Sequence, residues 1–163
     1  MPARITVSTM EDNMPLVQTW TNSVKKIKIF VGVINEDRET DRENPLQNTA
    51  LANILENGAP SENIPPRPFM KPGLTAVRKE VLYFLKRGAN ALYDGKRAAA
   101  LASLRGAGVK SVASIRRVME SNVPPPLAES TRKKRMRRGM RRMNTLIDTK
   151  QLWKSIGYRI QGL

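Results

Sequence analysis

Thirteen residues in the middle of the chain constrain its folding most. Residues 60–72, Pro-Ser-Glu-Asn-Ile-Pro-Pro-Arg-Pro-Phe-Met-Lys-Pro, contain five prolines. Proline fixes φ and removes a backbone donor, so neither an interior helix nor a central strand is expected there. The segment reads as a stiff, extended connection between two differently built halves. Its fixed φ angles would set Phe69 for burial and leave Arg67 free to pair. Pro65, Pro66, Arg67, Pro68 and Phe69 are therefore candidates for a structural anchor and for an oligomer or partner interface.

The two halves differ in charge. Residues 1–65 hold six basic and nine acidic groups, whereas residues 66–163 hold 23 basic and five acidic groups, which gives −3 and +18. A polyanion or an acidic protein face is the expected neighbour of the second half. The steepest concentration is 130–142, where eight of thirteen residues are basic and none is acidic. Wrapped on a helix, those charges surround the axis, unlike a membrane-surface helix with its apolar stripe. Phosphate contact needs only well-spaced cations, so Arg132, Lys133, Lys134, Arg135, Arg137, Arg138, Arg141 and Arg142 are candidate polyanion or DNA contacts. A solvated loop is the plainer expectation for the same residues. No aromatic residue lies between Tyr93 and Trp153, which argues against base stacking in this stretch.

Periodicity organises the remainder. Alternation predicts strands at 26–34 and 155–161, with a further short strand at 3–8. Ile27, Ile29, Val31 and Val33 share one face of the first. Leu16, Trp20 and Val24 predict a helix over about 10–25, with Pro15 against its early part. Leu51, Ile54 and Leu55 predict another over 48–57, ended by Gly58. Leu74, Val77, Val81, Leu85 and Leu92 predict a helix over 73–93, and a second long helix should run from 96 to about 121. Gly106 and Gly108 interrupt the latter, compensated by a close neighbour or marking a bend. Leu146–Ser155 reads as a short helix capped by Asp148 or Thr149. The expected fold is α+β, one domain over 1–163. A small antiparallel or mixed sheet packs against a long helical hairpin, with extended loops: a charged loop at 35–45, the proline-rich connection at 59–72 and a basic extension at 124–145.

Cys and His are both absent, which excludes Cys- or His-ligated zinc, disulfides, Ser–His–Asp triads and Cys nucleophiles. Glu36, Asp37, Glu39, Asp41 and Glu43 cluster without a calcium-loop pattern. Glu56, Glu80, Glu120 and Asp148 stand alone in sequence, with no sign of paired carboxylates. No catalytic, cofactor or metal residue is expected. The N-terminus lacks a signal-peptide pattern and no stretch is long enough to span a membrane, so a product made in a cytoplasm is expected.

Three segments, in order, resemble the virion-morphogenesis family of tailed bacteriophages, small minor-tail or tail-completion components similar to that of phage Mu. They are Ala50–Pro60 followed by Ile64–Leu74, then Pro124–Arg135, and finally Leu146–Ile160. The resemblance covers about 27–161 and leaves residues 1–26 outside. The family generally has Gly where Lys150 stands, which argues against a tight turn at 149–151 here, and its basic stretch is less charged. The resemblance implies a structural protein and no enzyme: a homo-oligomeric ring, hexameric or dodecameric, in the neck or tail of the virion, made in the host cytoplasm. Its partners would be itself, flanking neck or tail proteins and DNA in the channel, with no membrane and no cofactor. A nucleic-acid-binding protein acting through 132–142, or an assembly factor absent from the finished particle, are the alternatives.

Overall fold

The structure, a computed structural model, describes residues 14–34, 48–141, 143–148 and 150–162. The elements run α1 (Met14–Lys26), β1 (Lys28–Val33), α2 (Asn48–Asn57), a 3-10 turn (Pro60–Glu62), α3 (Met70–Ala76), α4 (Arg78–Tyr93), α5 (Arg97–Glu120), α6 (Glu129–Arg137), α7 (Gln151–Ser155) and β2 (Ile156–Gln161). This is the expected α+β architecture. The expected strand at 3–8 and the charged loop at 35–45 lie outside the described residues.

β1 and β2 pair antiparallel, from Lys28 opposite Gln161 to Val33 opposite Ile156. The chain ends of the sheet are stitched further by the Ile34 amide, which donates to the Ser155 carbonyl at 2.8 Å. Period-two alternation decides what this ribbon buries. Val31 and Val33 face the core, while Lys28 and Phe30 look outward.

α4 and α5 form the antiparallel hairpin, turned at Gly95, whose φ of 71° suits glycine. α5 is the central beam: α3, α4 and both strands pack on it. Its buried side runs through Ala100, Leu104, Ala107, Val112, Ile115 and Met119. Small residues let neighbours come close. A Cβ on Gly108 would collide with the Tyr158 ring of β2, and one on Gly106 would lie 2.8 Å from the Phe84 ring of α4. Both glycines sit inside a continuous helix, so close approach is their compensation and no break occurs.

Two expectations are corrected here. The helix expected over 73–93 is two helices, because Val77 leaves helical geometry at φ −108°, ψ 11°. The bend lets α3 seat on α5 at Gly73 while α4 seats on it at Gly88. A Cβ on Gly73 would lie 2.7 Å from Ile115 Cα, and one on Gly88 3.2 Å from Leu104. The Gly73 carbonyl, near the end of α3, is satisfied by the buried Ser114 hydroxyl at 2.7 Å. The proline-rich segment is also not wholly extended. Pro60 opens the 3-10 turn and Pro72 is the third residue of α3. Both sit in first turns, where a missing N–H leaves no helical bond unmade.

The two close approaches should respond differently to an added methyl group. G73A should cost about 1–3 kcal/mol, since backbone must move. G106A should change stability by less than about 1 kcal/mol, because the Phe84 ring can yield and alanine favours helix. Urea midpoints of the two variants check the order.

Candidate functional site

The segments 50–60, 64–74, 124–127, 143–148 and 150–156 converge on one end of α5. The hydrophobic part contains Ala52, Phe69, Val112, Ile115, Met119, Leu146, Leu152 and Ile156. Phe69 is completely buried, as its place between fixed backbone angles predicts. A polar frame surrounds this cluster.

Glu56 builds one side of the frame. α2 carries it to the start of α3, where backbone N–H groups have no helical acceptor. Its Oε2 accepts from the amides of Phe69 at 2.7 Å and Met70 at 2.9 Å, and its Oε1 accepts from Lys71 at 3.0 Å. A carboxylate at a helix N-terminus is favoured by charge as well as by hydrogen bonding. One side chain thus caps a helix thirteen residues further along the chain.

Arg67 builds the other side. Its Nε donates to the Pro125 carbonyl at 2.8 Å and its Nη2 to the Pro126 carbonyl at 3.1 Å. The residue is 7 % exposed. Arg67 is therefore engaged within the chain, contrary to the expectation that it stands free to pair. Burial, and then the charge of Arg135, lower its pKa below the usual arginine value. Of the other anchor candidates, Pro65 is half-buried, while Pro66 and Pro68 lie at the surface.

The basic extension is α6 in its first part, with a second correction inside it. Arg135 is buried, because residues 144–148 fold back over it. Its Nη1 donates to the Asn144 carbonyl at 2.7 Å and to that of Ile147 at 3.3 Å, and its Nε lies 3.4 Å from Asp148 Oδ1. It is a scaffold residue and is withdrawn from the polyanion candidates. Arg132, Lys133, Lys134, Arg137, Arg138 and Arg141 are exposed, and Lys133 pairs with Glu129 at 2.8 Å. Arg142 lies outside the described residues.

Asn144 ties the same loop to α5. Its Nδ2 donates to the Glu120 carbonyl at 3.1 Å, while its Oδ1 accepts from the amides of Leu146 and Ile147 at 2.9 and 3.0 Å. The short helix expected from Leu146 starts only at Gln151. Asp148 is committed to Arg135 instead of capping, and Thr149 lies outside the described residues. The N-cap is Lys150, in left-handed geometry at φ 63°. Lys150 thus takes a backbone geometry that glycine adopts more readily, while the turn considered at 149–151 lies partly outside the described residues. Beyond it, Arg116 stacks over Trp153 at 4.3 Å and donates to the Ile156 carbonyl at 2.8 Å.

Chemically, this cluster satisfies backbone groups and locks loops. Among the described residues, no three carboxylates come together as a metal site, and no helix is long and apolar enough to cross a membrane. The acidic cluster at 36–43 lies outside the described residues. Glu56 and Arg116 had no local signature, since each acts on backbone groups of distant segments, and Asn144 adds a bond to distant Glu120 to its local bonds with Leu146 and Ile147. No family model, curated protein or solved structure matches this chain.

The Arg67 contacts give a direct test. R67M keeps the side-chain length but leaves the two proline carbonyls unpaired, and should destabilise the protein by about 2–4 kcal/mol in chemical denaturation.

Proposed function

We propose that the chain is a structural subunit of a tailed-bacteriophage virion, which completes the tail or joins it to the head as part of a homo-oligomeric ring. Six copies are the first expectation and twelve the second. It works by complementary shape and charge, without turnover, beside flanking neck or tail proteins and around channel DNA.

What carries this reading is the role of the segments that resemble the virion-morphogenesis family. Phe69, Leu146 and Ile156 pack together, Glu56 takes the Phe69 amide and Arg67 holds the Pro125 and Pro126 carbonyls, a frame with no nucleophile and no paired acids among these five residues. Such a frame suits a subunit whose task is to keep its shape under load. The charge difference between the halves suits head-to-tail contacts, in which unlike surfaces meet around a ring.

A nucleic-acid-binding protein is the second reading, favoured by the exposed cations of α6: Arg132, Lys134, Arg137 and Arg138 make no ion pair among the described residues. An assembly factor that leaves before the particle is finished fits the same motifs. Mass spectrometry of purified particles separates it from a resident subunit.

Light scattering of nuclease-treated protein at low and high salt tests self-assembly. The expected result is a discrete species of six or twelve subunits, retained in R132Q/K134Q/R137Q/R138Q, which removes exposed charge and leaves the buried Arg135 in place. Monomer at every salt and concentration would overturn the ring and transfer the weight to the nucleic-acid reading.

A further inference from the structure

α4 presents a second cationic surface that the frame and α6 do not use. Gly88 marks its inward side, against Leu104. At about 100° per residue, Lys79, Lys86 and Asn90 lie within about 20° of the line directly opposite Gly88. Tyr83 and Tyr93 flank that line, and Leu82, Arg87 and Ala89 complete the outward sector. Tyr83 is 62 % and Tyr93 72 % exposed. Within about 80° of that line every residue except Leu82 and Ala89 carries an N–H or O–H donor and none carries a negative charge, Glu80 lying about 20° beyond Arg87.

Among the described residues, the carboxylates beside this face are already engaged. Glu80, on the flank of α4, pairs with Lys110 of α5 at 2.9 Å, and Asp94, beyond its end, pairs with Lys96 at 3.1 Å. Lys79, Lys86 and Arg87 have no ion pair among the described residues. Tyr93 is steadied by Trp20 of α1, edge to face at 6.0 Å. From Lys79 to Tyr93 the face runs about 21 Å along the helix axis. That length exceeds the roughly 12 Å width of a B-DNA major groove, so one helix can reach both phosphate backbones.

We propose that the outward face of α4, through Lys79, Lys86, Arg87, Asn90 and the two tyrosines, binds the phosphate backbone of duplex DNA without reading its sequence. An acidic protein surface would also attract the cations. Donors on most outward residues, with Leu82 and Ala89 the apolar exceptions, favour phosphate acceptors over a packed protein interface, whose centre is depleted in lysine. The inference stands apart from the ring: a monomer presents the same face.

The test is fluorescence anisotropy with a labelled random-sequence duplex of about 20 base pairs, titrated across salt. K79Q/K86Q/R87Q is compared with K71Q/K154Q/R159Q, which loses the same charge at exposed positions elsewhere. Glutamine keeps the helix, and circular dichroism verifies folding. The α4 variant should flatten the log–log salt slope by about 2.7, at about 0.9 per lost phosphate contact, while the control stays close to wild type. An unchanged slope in the α4 variant, or an equal loss in the control, overturns the proposal. So does wild-type protein that binds no duplex at low salt. Polyglutamate competing as well as unlabelled duplex at equal charge overturns it in favour of an acidic protein partner.

Discussion

The structure depends on satisfying backbone groups around a segment that cannot satisfy its own. Prolines remove donors and hold the chain away from regular structure, yet residues 64–70 run into the core to bury Phe69. Glu56 takes three amides where the segment enters α3, and Arg67 holds two carbonyls of a second proline run. Buried polar groups without partners cost more than their bonds return, so these two side chains decide whether Phe69 can stay buried. The guanidinium of Arg67 is a buried charge, tolerable because it is hydrogen-bonded to oriented carbonyl oxygens.

The second constraint is steric. Both layers meet on α5, and they meet closely because glycines stand at the crossings. Gly108 receives the Tyr158 ring, while Gly73 brings α3 onto Ile115. With few aromatics available, the core relies on close backbone approach and aliphatic packing. A side chain at either crossing would push an element off the beam. The polar frame fixes the loops, and the glycine contacts fix the elements those loops connect.

Much of this was legible in the residues. Alternation located β1 and β2, and α2 and α5 follow their apolar periods almost to the residue. The break at Val77 was invisible, because Leu74, Val77, Val81 and Leu85 keep helical spacing through it. The start of α3 was hidden by Pro72, whose first-turn position makes it harmless. Arg135 stood among seven other cations of identical character, and only the fold-back of 144–148 distinguishes it. Lys150 adopts a left-handed geometry that is costly for a residue with a Cβ, and nothing in its local pattern announces that. Where a residue acts on its own element, periodicity reveals it. Where it acts on a distant backbone, as Glu56 and Arg67 do, periodicity is silent.

The functional account follows from this division of labour. The segments resembling a virion-assembly family pack around the frame, while unpaired cations of α4 and α6 stay at the surface. Native-state hydrogen exchange at the amides of Phe69, Met70 and Lys71 tests the internal half of that division most directly. If Glu56 and Arg67 form the frame described, these amides should open only with global unfolding, and their exchange free energy should equal that from denaturant titration. Exchange at the rate of an exposed loop would contradict it, and would return the proline-rich segment to the surface as an arm available to a neighbour.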